Sequence, residues 1–324
     1  MDSLIKTIQD NRAVRDTTVK MYAKNLETLA NEITGKDYEN ADFLVKDLEK
    51  VMTFLDTKSN SVKKKLIASI MVALSPKNKG QPKESDKSAY EKYKKLLNHE
   101  NTIYLDSVRD NNKSDRDKKN WTTMEELKKV QSRLLKEIKA KGYNFKKSKG
   151  VDSKKDFFLI QDYLISSLYL DLPPRRLDYA DMLKVTKTEY DNLTDKEKED
   201  NNYLVSVNKS NKFFSFGKNA VKSETDENVI ITVPKKMNDL LNFWINLNLK
   251  DHLLVSRTGG KLTKNALSKQ ITDIFKKTGK NISVVMLRKI FLSEKFADVN
   301  KEKKEIAEAM NHSVSVANTF YVKN

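Results

Sequence analysis

The sequence predicts a mainly α-helical chain with a small antiparallel β-sheet, arranged as two domains, and three observations predict it. Apolar residues recur at helical spacing through most of the 324 positions. Strand signals are confined to three short runs, "NYLVSV" (202–207), "KFFSF" (212–216) and "NVIITVP" (228–234), which are β-branched or aromatic and parted by polar turns. A charged stretch without apolar periodicity, "VRDNNKSDRDKKN" (108–120), separates the helical first third from the rest. The expected division is a helical domain over residues 1–110, a linker over 111–120 and a second domain over 121–324.

In the first domain, Val19, Tyr22, Leu26 and Leu29 form one stripe, with Thr17 or Thr18 available as its N-cap. "FLVKDLEKVMTFL" repeats the pattern through Leu44, Leu48, Val51 and Leu55, and "SVKKKLIASIMVAL" through Val62, Leu66, Ile70 and Leu74. "SPKNKGQPKES" (75–85) reads as a loop, and "SAYEKYKKLL" as a further helix. The second domain opens at "WTTMEEL", where Thr122–Glu125 and Thr123–Glu126 both fit a capping box, and its first helix should run to about Lys139. "KKDFFLIQDYLISSLYL" (154–170) is apolar enough to be a buried helix, ended by Pro173 and Pro174, which suit the first turn of another. After the three strands, helices resume in "KKMNDLLNFWINL", "TKNALSKQITDIFKKTG", "SVVMLRKIFLSEKFA", "EKKEIAEAM" and a short last one near "VANTFYV".

The charge carries most of the functional information. Lysine and arginine total 62 against 45 acidic residues, a formal net charge of +17, which points to a polyanionic partner. Nucleic acid is favoured over membrane, because no apolar run is long enough to span a bilayer and no basic amphipathic helix stands apart from the folded pattern. Only nine of the basic residues are arginines, so each is informative where a planar fork is needed. Zero cysteines exclude disulfides and thiolate metal sites and fit an intracellular, reducing setting, and the charged N-terminus has no secretory h-region. His99, His252 and His312 lack ligand spacing, so no metal is expected. "RTGGKLT" (257–263) lacks the phosphate-loop spacing and reads as a turn before a helix capped by Thr263.

What remains is a set of basic residues and a tyrosine. "LPPRRLDYADML" places Arg175, Arg176 and Asp178 at an expected helix start, and "FSFGKNAVK" places Lys218 at a strand end after Gly217, with Lys222 nearby. "VVMLRKIFL" places Arg288 on an otherwise apolar helix, where an arginine either snorkels or meets an anion. "NHSVSVANTFY" sets His312 nine residues before Tyr321. Singly, each residue suits a solvated surface or a core position.

In this order they resemble the catalytic domain of the tyrosine recombinases, the integrases and resolvases that cut DNA through a tyrosine. The resemblance implies that Arg175, with Asp178 three positions on, is the first arginine, Arg176 being the alternative. It implies a hairpin lysine at Lys218, with Lys222 as fallback, and a second arginine at Arg288 in a His-x-x-Arg box whose histidine position holds Val285. His312 and Tyr321 match the closing segment in spacing. "TTVKMYAKNLETL" is similar to the opening helix of the family's core-binding domain, so the resemblance spans the chain. A "PPRR" segment and a short C-terminus are similar to versions encoded by large DNA viruses and mobile elements.

The activity implied is site-specific recombination or integration through a 3′-phosphotyrosine, without nucleotide or metal, on double-stranded DNA held by a homodimer or homotetramer. Two departures qualify it: Val285 can neither accept nor donate a proton, and with three residues after Tyr321 no C-terminal docking helix is expected. The alternatives are relaxation of DNA by a type IB topoisomerase-like enzyme and a non-catalytic DNA-binding protein that kept the fold. The region 16–22 and the segment around "RTGGKLTKN" are the candidates for reading bases.

Overall fold

A computed structural model describes residues 2–35, 40–75, 81–109, 113–147, 150–218 and 228–310. The chain divides into two compact units, residues 1–112 and 113–324.

The first unit is helical: α1 (Asp2–Asn11), α2 (Asp16–Thr34), α3 (Phe43–Lys46), α4 (Leu48–Asp56), α5 (Asn60–Leu74) and α6 (Lys87–Arg109). Its core takes Leu4 and Ile8 from α1, the stripe Val19, Leu26 and Leu29 from α2, and Leu66, Ile70 and Leu74 from α5. Tyr93 of α6 is fully buried and donates its hydroxyl proton to Leu44 O at 2.8 Å, giving an apolar body and a satisfied tip. Several details depart from the sequence reading. Helix α2 begins at Asp16, with Arg15 at the N-cap position and no side-chain cap, so Thr17 and Thr18 lie inside the first turn. "FLVKDLEKVMTFL" breaks at Asp47 into α3 and α4, and Val62, on the first turn of α5, is exposed.

The second unit contains α7 (Asp115–Asn120), α8 (Met124–Ala140), α9 (Lys154–Leu170), β1 (Leu183–Thr186), α10 (Lys187–Asp191), α11 (Asp195–Asp200), β2 (Asn202–Ser206), β3 (Lys212–Phe216), β4 (Val229–Thr232), α12 (Lys235–Leu247), α13 (Lys264–Phe275), α14 (Val284–Lys295) and α15 (Ala297–Ala309). Most of the stretch expected to be linker is therefore structured. Ser114 caps α7 by accepting from Asp117 N–H, and the helix is fastened by an Asp117–Lys289 ion pair at 2.6 Å and by Asn120 Oδ1, which accepts from Asn281 N–H at 2.9 Å. A charged sequence can form a helix without an apolar stripe when, as here, ion pairs and a cap do the fastening.

Helix α9 runs through the core: Ile160, Leu164, Ile165 and Leu168 are fully buried, and α8, α12 and α13 pack around it. Gln161 on this helix is also fully buried. Its Nε2 donates to Val255 O at 2.9 Å and its Oε1 accepts from Val255 N–H at 3.0 Å, so one side chain serves both main-chain groups of a loop residue.

The sheet has the order β1-β2-β3-β4, and it is mixed, which corrects the antiparallel expectation. Strands β2–β3 and β3–β4 pair antiparallel, but β1 runs parallel to β2, with Leu183 opposite Tyr203. A parallel neighbour needs a crossover, and α10 and α11 supply it, each opened by a full capping box (Thr186–Glu189 and Thr194–Glu197). No residue of β1 is buried, so the strand has no apolar period to read. Residues 171–182 likewise form turns, not the helix expected after Pro173 and Pro174. Among the described residues, no helix is long and apolar enough to cross a membrane.

Replacing Gln161 by leucine keeps the size of the side chain but orphans the N–H and C=O of Val255. At roughly 1–3 kcal/mol for each buried group, Gln161→Leu should lower the stability of the second unit by about 2–6 kcal/mol. Urea unfolding followed by tryptophan fluorescence reads this, and an unchanged midpoint would refute the dependence on that pair of bonds.

Candidate functional site

The turn after α9 and the end of β3 come together over an aromatic cluster. Tyr179 is almost wholly buried and meets Tyr169, Phe214 and Phe216 edge-on, at ring-centroid distances of 5.6, 5.5 and 5.7 Å. Such edge-to-face contacts add to the burial of large rings. The Tyr169 hydroxyl donates to Arg176 O at 2.6 Å, which fixes the main chain beside Arg175, and burial raises the pKa of both tyrosines.

Arg175 is held on this base from two directions. Its Nε donates to Asp178 Oδ2 at 3.0 Å, and its guanidinium carbon lies 3.7 Å from the centroid of the Phe216 ring. The side chain is 17% exposed and Asp178 is buried, so the geometry is fixed and partly desolvated. The two terminal nitrogens of Arg175 donate to no described residue. Arg176 is exposed and contributes only its carbonyl, which distinguishes the two arginines that the sequence leaves as alternatives.

One residue beyond Phe216, the chain passes very close to α11. A Cβ on Gly217 would lie 2.2 Å from Glu199 O and 2.8 Å from Asn201 O, so only glycine fits. Lys218 follows, its ammonium 2.8 Å from Glu199 Oε1, with both side chains 41% exposed. An exposed pair of this kind is worth roughly 0–1 kcal/mol. Lys222 lies outside the described residues.

Two residues that sequence reasoning did not single out complete the cluster. Phe216 provides the ring under Arg175. Asn202, the first residue of β2, donates from Nδ2 to Asp178 O at 2.8 Å and accepts at Oδ1 from Gly217 N–H at 3.0 Å, so it connects the two segments. Neither shows in the sequence, where Phe216 reads as an ordinary strand aromatic and Asn202 as the polar first residue of a strand run.

Arg288 sits on α14, half-buried, between the buried residues Leu287 and Ile290, and forms no hydrogen bond or ion pair with a described residue. Val285 lies three positions earlier, on the same face, and is 59% exposed. Nothing in the described contacts joins Arg288 to the Arg175–Lys218 cluster. The adjacent Lys289 clasps α7, so the helix carrying Arg288 is tethered to the start of its own unit. His312 and Tyr321 lie outside the described residues. "RTGGKLT" forms a tight turn with Gly259 at φ +88°, and Thr263 caps α13 by accepting from Ala266 N–H. Among the described residues, no three histidine, aspartate or glutamate side chains are grouped as a metal would need.

The clasp has a pH signature. The Lys289 ammonium holds the Asp117 carboxyl below its ordinary value of 3.8, so the pair's contribution is present above that pH and is lost as pH falls through the lower folded value. Lys289 is 46% exposed, which limits the contribution to about 1 kcal/mol or less. In Tm-against-pH profiles, Asp117→Asn should melt slightly below the wild type at pH 6, and the gap should close in strong acid. Equal melting at pH 6 would show that the pair contributes nothing.

Comparison of the chain with protein-family models, with curated proteins and with solved structures finds no match to any of the three.

Proposed function

We propose that the chain is a site-specific tyrosine recombinase or integrase, in which the helical first unit grips double-stranded DNA and the second performs the cleavage. The observation that carries this reading is Arg175: a largely buried guanidinium, oriented by Asp178 and Phe216, whose terminal N–H groups have no described partner. A fork fixed in orientation in this way, with its terminal N–H groups open to solvent, is suited to receive an anion. Arg288, half-buried and without a partner among the described residues, repeats the pattern, and Lys218 lies at the start of the segment between β3 and β4. The sequence adds His312 and Tyr321 at the spacing of the family, and the +17 charge suits DNA.

In this reading the arginine forks neutralise the non-bridging oxygens of a phosphodiester, where charge grows in the transition state. His312 adds a hydrogen bond to the same phosphate. The Tyr321 hydroxyl attacks phosphorus, the new Oη–P bond replaces the P–O5′ bond, and the phenolic proton passes to solvent. The Lys218 ammonium donates its proton to the departing O5′, which would otherwise leave as a poor alkoxide. Religation by a 5′-hydroxyl reverses the step, so no external energy source is consumed. A DNA-binding protein that kept the fold without the chemistry is the second reading, favoured by Val285 beside Arg288, where the family has a proton-carrying histidine.

The test is to incubate the chain with fragmented genomic DNA, denature it in detergent, and sequence only the DNA that remains covalently attached. The wild type should retain a few enriched sequences, and Tyr321→Phe should retain none while binding DNA with unchanged affinity. Diffuse attachment dependent on Tyr321 would point to relaxation of DNA instead. Absence of attachment from a wild type that binds DNA would leave the binding reading.

A further inference from the structure

Among the described residues the Asn202 side chain makes two hydrogen bonds, both to main-chain groups, and they reach into the two segments that the proposed chemistry requires. Its Nδ2 holds the carbonyl of Asp178, the residue whose carboxylate orients Arg175, and its Oδ1 holds the amide of Gly217, the residue before Lys218. The Asp178 segment is 24 positions away in sequence and is joined to Asn202 by no strand pairing, whereas Gly217, 15 positions away, follows Phe216, the partner of Asn202 in the β2–β3 ladder. The base of the β3–β4 connection is pinned on its other side as well, where Asn228 Nδ2 donates to Lys198 O at 3.1 Å. Gly217 itself abuts the main chain of Glu199 and Asn201, so the point from which Lys218 departs has little room to shift.

From this geometry we infer that Asn202 is a positioning residue that sets the Arg175 fork and the Lys218 proton donor at a fixed separation. The inference rests on the recombinase reading above. A carboxamide is suited to the task because one planar group offers a donor and an acceptor in opposite directions. Aspartate at this position retains the acceptor for Gly217 N–H but sets a carboxylate against the Asp178 carbonyl. Alanine removes both links. General acid catalysis depends on reach: a displacement of about 1 Å costs on the order of 10²-fold in rate.

The experiment uses duplexes resynthesised from the DNA that the wild-type chain retains covalently. They are made in two forms, one with an ordinary O5′ at the cleaved position and one with a bridging 5′-sulfur, which departs without a proton. Asn202→Ala should cleave the ordinary duplex about 10²-fold more slowly than wild type and the sulfur duplex only about tenfold more slowly or less, with the Kd for either within about twofold. Asn202→Asp, which keeps the Gly217 link, should lose a similar factor on both duplexes and so preserve the wild-type ratio between them. Thermal unfolding checks the fold. If Asn202→Ala does not fold, Asn202→Ser replaces it, since its hydroxyl is too short to span both partners. Wild-type rates in these variants, or an Asn202→Ala loss equal on both duplexes, would overturn the positioning role while leaving the recombinase reading intact. A wild type that retains no DNA after denaturation would overturn that reading, and the role of Asn202 with it.

Discussion

The arrangement of the second unit depends on the burial of four aromatic rings, those of Tyr169, Tyr179, Phe214 and Phe216. They come from α9, from the turns that follow it and from β3, and their contacts hold three segments that share no secondary structure. Residues 171–182 form turns, tied by scattered main-chain bonds such as Asp181 N–H to Leu262 O and Leu253 N–H to Met182 O. Tyr179 gives that stretch an anchor in the core. The polar features above it, including the Arg175–Asp178 pair, sit on a surface that apolar packing has already made rigid.

A second theme is the use of long side chains in place of main-chain pairing. Gln161 treats Val255 as a neighbouring strand would, and Asn202 does the same across the Arg175 turn and Gly217. Lys212 is a third case. It is 3% exposed at the start of β3, and its ammonium donates to Lys209 O at 2.9 Å, with no carboxylate beside it among the described residues. Burial lowers its pKa, so the β2–β3 turn is closed by a lysine whose charge is held only by main-chain carbonyls and an amide. In each case a loop that would otherwise bury unpaired groups is satisfied by one amide or amine.

The parts of this architecture that were legible in the sequence are those governed by apolar periodicity. Helix α9 and strand β3 fall on the residues expected, because runs as apolar as "FFLIQDYLISSLYL" and "KFFSF" leave few alternatives. The parts that were not legible are governed by polar contacts between distant segments. Strand β1 has no buried side chain, α7 is fastened by an ion pair 172 positions away, and the turn bearing Arg175 depends on an aromatic cluster assembled from three places. For the candidate site, order and spacing along the chain singled out Arg175, Lys218, Arg288, His312 and Tyr321, of which the last two lie outside the described residues. Order and spacing carried no signal for Phe216 or Asn202, whose importance comes only from what lies beside them in space.

The fixed posture of Arg175 has a thermodynamic consequence. An arginine side chain at liberty carries roughly 2 kcal/mol of rotamer entropy, which an anion must overcome when it orders the group. Here folding itself overcomes that cost, through Phe216 on one face and Asp178 at Nε. Under the proposed function, the affinity of this group for a phosphate would therefore be linked to the order of the aromatic base beneath it. Warming that loosens Tyr179 and Phe216 would then weaken the proposed phosphate contact gradually, at temperatures where the unit as a whole is still folded.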